Sequence, residues 1–117
     1  VIICPGGNYE FLCANEAFPA ASWLREHGLH AYILRYRLLP KYEYEQARDD
    51  LAAAIRFVRA KHGPHSRLAG LGFSAGAHLI ATAALTSGRD GEPQNDALDA
   101  QVLVYGAFDG TDWQDRD

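Results

Sequence analysis

A serine in a glycine-rich setting is the residue of this 117-residue chain with the clearest potential for chemistry. The sequence Gly-Phe-Ser-Ala-Gly at 72–76 has the G-x-S-x-G spacing that can lift a serine hydroxyl above a sharp strand-to-helix turn. Such a turn forces Ser74 into unfavourable backbone angles, while Gly72 and Gly76 omit side chains that would collide with the adjacent strand and helix. The hydroxyl would then lie at the carboxyl edge of a sheet and at the positive end of a helix, which predicts a nucleophile.

A second glycine turn, Pro-Gly-Gly-Asn-Tyr at 5–9, follows the first apolar segment of the chain. Acyl transfer needs preorganised donors for an oxygen that becomes negative, and the backbone N–H groups of such a turn can supply them. We predict donors from Gly7 and Asn8, together with Ala75 directly after the serine. The competing interpretation is an ordinary tight turn, and Tyr9 either lines an acyl pocket or packs in the core.

Both turns need a sheet that holds them at one edge, and the hydrophobic pattern predicts one. Short apolar segments alternate with segments of helical periodicity, in the order β-α-β-α-β-α-β. Strands are predicted at 1–4, 29–36, 67–71 and 101–105, and helices at 16–27, 46–62 and 75–87. Right-handed crossovers through these helices give an α/β fold, with a parallel sheet of about four strands in a three-layer αβα arrangement. We expect a single domain over 1–117.

These segments together resemble the α/β-hydrolase superfamily, and the similarity runs through almost the whole chain up to Tyr105. The matching sequences are Pro-Gly-Gly-Asn-Tyr at 5–9, Arg-Tyr-Arg-Leu at 35–38, Ala-Ile-Arg-Phe-Val-Arg at 54–59 and Gly-Phe-Ser-Ala-Gly-Ala-His-Leu at 72–79. The chain looks most like the esterase/lipase branch that includes acetylxylan- and feruloyl-esterase-like proteins. Two departures are Asn8 in place of a usual third glycine and Ala77 in place of a common glycine.

The resemblance implies a partial α/β-hydrolase core, whose four strands correspond to the third to sixth of the full sheet. Their spatial order would be second, first, third, fourth. The resemblance also implies a carboxylic ester hydrolase that works through an acyl-enzyme on Ser74, with Gly7, Asn8 and Ala75 at the oxyanion. We expect the chain to be part of a longer protein. The alternative is a non-catalytic or truncated α/β-hydrolase-like domain that is inactive on its own.

A serine nucleophile of this kind also needs an acid and a histidine, which the superfamily supplies after the serine in that order. His78 is the only histidine after Ser74, and its place one turn into a helix favours a structural role. The other histidines precede the serine: His27, His30, His62 and His65. Asp109 is the candidate acid, and Asp50 is interpreted as stabilising the first turn of its helix. We expect the catalytic histidine to lie outside the chain.

Charge and composition exclude several other functions. With 48% hydrophobic residues and a net charge of −4, the chain is not disordered as a whole, and no apolar run is long enough to cross a bilayer. Residues 90–117 carry eight acids and one arginine, which disfavours nucleic acid as a partner. No segment has the spacing of a metal, dinucleotide or phosphate site, so no cofactor is predicted. Cys4 and Cys13 are expected to be free thiols.

The expected partner is a small-molecule or carbohydrate ester, with no nucleic acid and no membrane. A sheet of about four strands would leave edges unpaired, so we also expect self-association through those edges. A cytoplasmic location is favoured, and any signal segment would lie upstream of Val1.

Overall fold

The structure, a computed structural model, describes residues 1–86 and 97–106 of the chain. Its four strands are β1 (Ile2–Cys4), β2 (Tyr32–Ile33), β3 (Ala69–Phe73) and β4 (Ala100–Val104). They form one parallel sheet in the spatial order β2-β1-β3-β4. This is the order that the family resemblance implied, and the predicted α/β fold with a parallel sheet is confirmed.

Three helices make the crossovers between these strands: α1 (Phe18–Glu26), α2 (Tyr44–His62) and α3 (Ala75–Thr86). α1 leads from β1 outward to β2, whereas α2 returns past β1 to β3. Because parallel crossovers are right-handed, these opposite directions put α1 on one face of the sheet and α2 with α3 on the other. In agreement, α2 contacts α3, and α3 packs on β1, β3 and β4.

α2 is the helix that its sequence specifies most fully. Its buried side chains recur at helical spacing and form one apolar stripe: Ala47, Leu51, Ile55 and Val58. The Gln46 side chain accepts a hydrogen bond from the Glu43 N–H at 2.5 Å and so caps the first turn, and Gly63, with a φ of 102°, ends the helix. Because this cap sets the start of the helix, α2 begins at Tyr44, two residues before the predicted start at 46. The hydrophobic periodicity does not reveal such a cap.

Two strands differ by more than one residue from their predicted bounds. β2 has only two residues, because the neighbouring β1 ends at Cys4 and the following Pro5 has no N–H with which to extend the ladder. β3 runs to Phe73, so Gly72 lies within the strand rather than in the turn after it. α1 begins one residue before Pro19, as expected for a proline in the first turn.

The core lies between the sheet and its helices, and its largest fully buried side chains include Tyr36, Ile2, Ile3, Leu51, Ile55, Leu79 and Ile80. Both cysteines are free thiols, as predicted. Cys4 is buried, and this burial raises the pKa of its thiol, whereas Cys13 is half-buried. None of the helices in the described part of the chain has both the length and the apolar character that crossing a membrane requires.

Asp50 has a different role from the predicted one. It lies beyond the first turn of α2, because that helix begins at Tyr44. Its carboxylate accepts hydrogen bonds from the Arg37 backbone N–H at 2.8 Å and from the Arg37 guanidinium at 3.1 Å. Asp50 therefore fastens the segment after β2 to α2, which a reading of the helix alone could not reveal.

Candidate active site

Ser74 lies at the junction of β3 and α3, between Phe73 and Ala75. Its φ of 53° is in the left-handed region, which a serine adopts only where the surrounding structure imposes it. Two hydrogen bonds hold it there: the Ser74 N–H donates to the Val104 carbonyl at 2.9 Å, and the Ser74 carbonyl accepts from the His78 N–H at 3.1 Å. The half-buried serine therefore stands on the strained strand-to-helix turn that the motif predicts.

Gly72 and Gly76 allow α3 to pack directly against the ends of the strands. A Cβ at Gly76 would lie 1.8 Å from the carbonyl oxygen of Cys4, and a Cβ at Gly72 would lie 2.6 Å from the Cα of Ala77. Both distances are shorter than any that real Cβ atoms make, so this packing accepts only glycine at the two positions. The first turn of α3 consequently lies against the carboxyl end of β1.

The glycine turn at 5–9 contacts the serine. The ideal Cβ position of Gly6 lies 2.9 Å from the Ser74 Cβ and 2.6 Å from the Phe73 carbonyl oxygen. The chain then reverses through three residues with positive φ: Gly7 at 142°, Asn8 at 58° and Tyr9 at 64°. Asparagine tolerates this conformation better than most residues, so Asn8 replaces the third glycine without disrupting the turn.

The N–H groups predicted as oxyanion donors have no competing acceptor in the described part of the chain. None of its carbonyls or side chains accepts a hydrogen bond from the N–H of Gly7, Asn8 or Ala75. The Gly7 carbonyl accepts hydrogen bonds from the N–H groups of Glu10 and Phe11, at 2.9 and 3.2 Å, and so closes the chain reversal. Gly7 and Asn8 are half-buried and Ala75 is fully buried, and the two segments that carry these N–H groups meet beside Ser74.

Tyr9 packs in the core, which favours the packing interpretation over contact with a substrate. Its side chain is 4% exposed, and its ring makes edge-to-face contacts with Tyr36 and Tyr44, both at 5.9 Å. Its hydroxyl lies 2.7 Å from the Nδ1 of His78. Burial raises the pKa of Tyr9 and lowers the pKa of the half-buried His78. The His78 ring is thus engaged within this aromatic cluster, which supports its structural interpretation.

Glu16 is a residue of the site that the sequence analysis missed. One carboxylate oxygen, Oε1, accepts a hydrogen bond from the Gly6 N–H at 2.9 Å, and the other accepts one from the Tyr105 hydroxyl. The hydrogen bond to Glu16 raises the pKa of Tyr105 to about 12. The helix predicted over 16–27 makes Glu16 the first residue of α1. The signal against that was Pro19, since a proline in the first turn places the helix start after Glu16.

The other histidines belong to the opposite edge of the sheet or to surface positions. His30 precedes β2 and His62 ends α2, and their ring centroids lie 4.5 Å apart with the ring planes tilted by 41°. The His27 Nδ1 lies 2.8 Å from a carbonyl of α1, and His65 is exposed. In a parallel sheet, residues that precede a strand lie away from the carboxyl edge where Ser74 stands. The predicted acid, Asp109, lies outside the described residues.

The fold and the site together define a class. The framework of an α/β hydrolase is a parallel sheet with helices on both faces. At the end of one strand it carries a serine with left-handed backbone angles, flanked at two residues' distance by glycines. Comparison with known families agrees: residues 13–117 match the family described as alpha/beta hydrolase fold. The chain belongs to the α/β-hydrolase family.

Individual relatives place the chain among the esterase- and lipase-like members of this family. It is 31% identical to esterase LipC from Mycobacterium tuberculosis, in an alignment that covers 99% of the chain and 31% of LipC. It resembles the structure of an acetyl ester-xyloside bifunctional hydrolase from Caldicellulosiruptor lactoaceticus, with a TM-score of 0.72, 32% identity, and coverage of 90% of the chain and 43% of that protein. It also resembles carboxylesterase Cest-2923 from Lactobacillus plantarum WCFS1, with a TM-score of 0.77, 28% identity, and coverage of 94% and 45%. The chain thus spans less than half the length of each of these relatives.

Proposed function

We propose that this chain carries the nucleophile and the oxyanion site of a carboxylic ester hydrolase that works through an acyl-enzyme. The observation that supports the proposal is the left-handed backbone conformation of Ser74, beside a turn in which the N–H groups of Gly7 and Asn8 have no acceptor in the described part of the chain. The Ser74 Oγ would attack the ester carbonyl carbon and lose its proton to a base. The alcohol would leave with that proton, and water would then release the acid from the serine.

In this proposal the developing oxyanion is held by backbone N–H groups. Ala75 contributes one donor as the first residue of α3, where the helix dipole is also positive. Gly7 or Asn8 contributes the second donor from the glycine turn. These donors belong to the backbone, and the close packing at the glycines fixes that backbone. The donors therefore need no reorganisation when the charge develops.

We propose further that the base is a histidine outside residues 1–117. His78 is held in the aromatic cluster by the Tyr9 hydroxyl, which supports assigning the base elsewhere. Asp109 remains the candidate acid. That the chain spans under half of its esterase relatives is consistent with a triad completed by other segments.

The proposed substrate is a small-molecule or carbohydrate ester. Two of the relatives are named as an esterase and as an acetyl ester-xyloside hydrolase, which supports acyl esters, including those carried by sugars.

The test compares Ser74→Ala with the unaltered protein that carries residues 1–117. The measurements are covalent labelling by a fluorophosphonate probe and turnover of p-nitrophenyl acetate. We expect Ser74→Ala to abolish labelling and to lower turnover by up to about 10⁶-fold. Ser22→Ala, an exposed serine on α1, is the matched control and should label normally. Equal reactivity of Ser74→Ala and the unaltered protein would refute the proposal and favour a non-catalytic domain.

A further inference from the structure

We infer that Glu16 is a positioning residue for the oxyanion donors, acting through Gly6; this inference rests on the proposed function of Ser74. The ideal Cβ position of Gly6 lies 2.8 Å from Glu16 Oε1 and 2.9 Å from the Ser74 Cβ. The carboxylate therefore lies beside the nucleophile, although it is separated from it by 58 positions in the sequence and belongs to another segment. Nothing in the G-x-S-x-G motif or the glycine turn requires an acid there.

The hydrogen bonds of Glu16 explain which N–H groups the turn leaves available. Oε1 accepts the Gly6 N–H at 2.9 Å, so that N–H is directed to the carboxylate rather than to a substrate. The next two N–H groups, those of Gly7 and Asn8, then have no acceptor in the described part of the chain. A hydrogen bond to a charged carboxylate is roughly twice as strong as one between neutral groups, so it fixes the start of the turn firmly.

The second oxygen of Glu16 ties the turn to the far strand of the site. It accepts a hydrogen bond from the hydroxyl of Tyr105, which directly follows β4. The Val104 carbonyl in turn accepts a hydrogen bond from the Ser74 N–H at 2.9 Å. Glu16 thus links the ends of β1 and β4 on either side of the serine. The Tyr105 ring also lies 6.1 Å from the ring of Phe73.

The charge of Glu16 by itself would oppose catalysis, because a carboxylate close to Ser74 repels a developing oxyanion. Its contribution must therefore be geometric. This separates two variants: Glu16→Gln keeps an acceptor oxygen for the Gly6 N–H and removes the charge, whereas Glu16→Ala removes the acceptor altogether. If Glu16 is a positioning residue, Glu16→Gln must retain most of the kcat that Glu16→Ala loses.

The experiment measures kcat and KM for p-nitrophenyl acetate in the protein that carries residues 1–117, with melting temperatures recorded for every variant. We expect Glu16→Ala to lower kcat by about 10²–10³, the effect of losing one oxyanion donor, with KM within about threefold. Glu16→Gln should recover kcat to within about tenfold. Glu26→Gln, an exposed glutamate at the end of α1, is the matched control and should be unaffected.

The outcomes separate this inference from the proposed function. If Ser74→Ala stays active, the proposed function fails. If Ser74→Ala is inactive while Glu16→Ala equals the unaltered protein, the positioning role is overturned. It is also overturned if Glu16→Ala raises KM without lowering kcat, which indicates a substrate contact. Equal losses of kcat and melting temperature in the Ala and Gln variants would overturn it as well, since they indicate a merely structural residue.

Discussion

Gly76 offers a decisive test of how the site is assembled, because two physical effects predict opposite signs for Gly76→Ala. Gly76 lies in the first turn of α3, and replacing glycine by alanine in a helix ordinarily stabilises it by about 1 kcal/mol. The added Cβ, however, would lie 1.8 Å from the Cys4 carbonyl oxygen and 2.8 Å from the Pro5 carbonyl oxygen. Both are backbone atoms, so no side chain can rotate to relieve the contacts.

The steric effect should dominate. Overpacking by one carbon typically costs about 1–3 kcal/mol, and a contact with rigid backbone belongs at the upper end of that range or above it. After subtracting the propensity gain, we expect Gly76→Ala to lower the free energy of unfolding by about 2 kcal/mol or more. The helix must move away from β1, which also separates the Ala75 N–H from the glycine turn.

The assay is urea unfolding followed by circular dichroism, with the free energy obtained by linear extrapolation. Ala53→Gly, at an exposed position of α2, gives the propensity term alone and should cost about 1 kcal/mol. If Gly76→Ala is as stable as the unaltered protein, or more stable, then α3 does not pack against β1 as closely as described, and the geometry of the strand-to-helix turn at Ser74 is wrong.

Two further predictions concern titration and thiol reactivity. The Leu68 N–H and the Arg59 side chain hold the pKa of Asp99 below its ordinary value, so its contribution to stability is complete above about pH 4 and is lost as the pH falls through the lower folded-state pKa. In urea unfolding, the stability advantage of the unaltered protein over Asp99→Asn should therefore be larger at pH 7 than at pH 3, and an unchanged difference would contradict this. With a chromogenic disulfide reagent, the native chain should react at Cys13 alone, because Cys4 is buried. Both thiols should react after unfolding. Fast reaction of Cys4 in the native chain would contradict its burial in β1.

Much of the fold could be predicted from the sequence, because the relevant signals are local. The periodicity of α2 and the alternation of strands with helices fixed the number, type and parallel arrangement of the elements. The boundaries were less predictable wherever they depend on a neighbour. β2 is short because Pro5 lies in the adjacent segment, and α2 begins early because Glu43 and Gln46 cap it.

In the candidate site, too, features encoded by local sequence could be predicted, and features that depend on distant residues could not. The serine turn and its glycines form a contiguous motif, so their geometry could be anticipated from residue spacing. Glu16 could not, because its role depends on Gly6, ten positions away, and on Tyr105, 89 positions away. The burial of Tyr9 depends in the same way on Tyr36 and on residues of α2 and α3.

The outer edge of β4 predicts how residues 1–117 behave as an isolated chain. β4 pairs with β3, and no strand in the described part of the chain pairs with its other edge. Two adjacent residues of β4 on opposite faces of the sheet, Val102 and Leu103, are 56% and 36% exposed. Unpaired N–H and C=O groups beside apolar side chains are a template for another strand, so we expect association with a second copy.

Light scattering tests this expectation. The variant Val102→Lys distinguishes pairing at the edge of β4 from non-specific association through exposed apolar side chains. A lysine on an edge strand places a charge that a second strand would have to desolvate, so Val102→Lys should shift the chain toward monomer. Trp23→Lys removes a comparably exposed apolar side chain, 58% exposed on α1, and should leave association unchanged. A monodisperse monomer before any substitution would contradict the expectation. If Trp23→Lys abolishes association and Val102→Lys does not, the contact runs through the helical face, and the edge of β4 is not the interface.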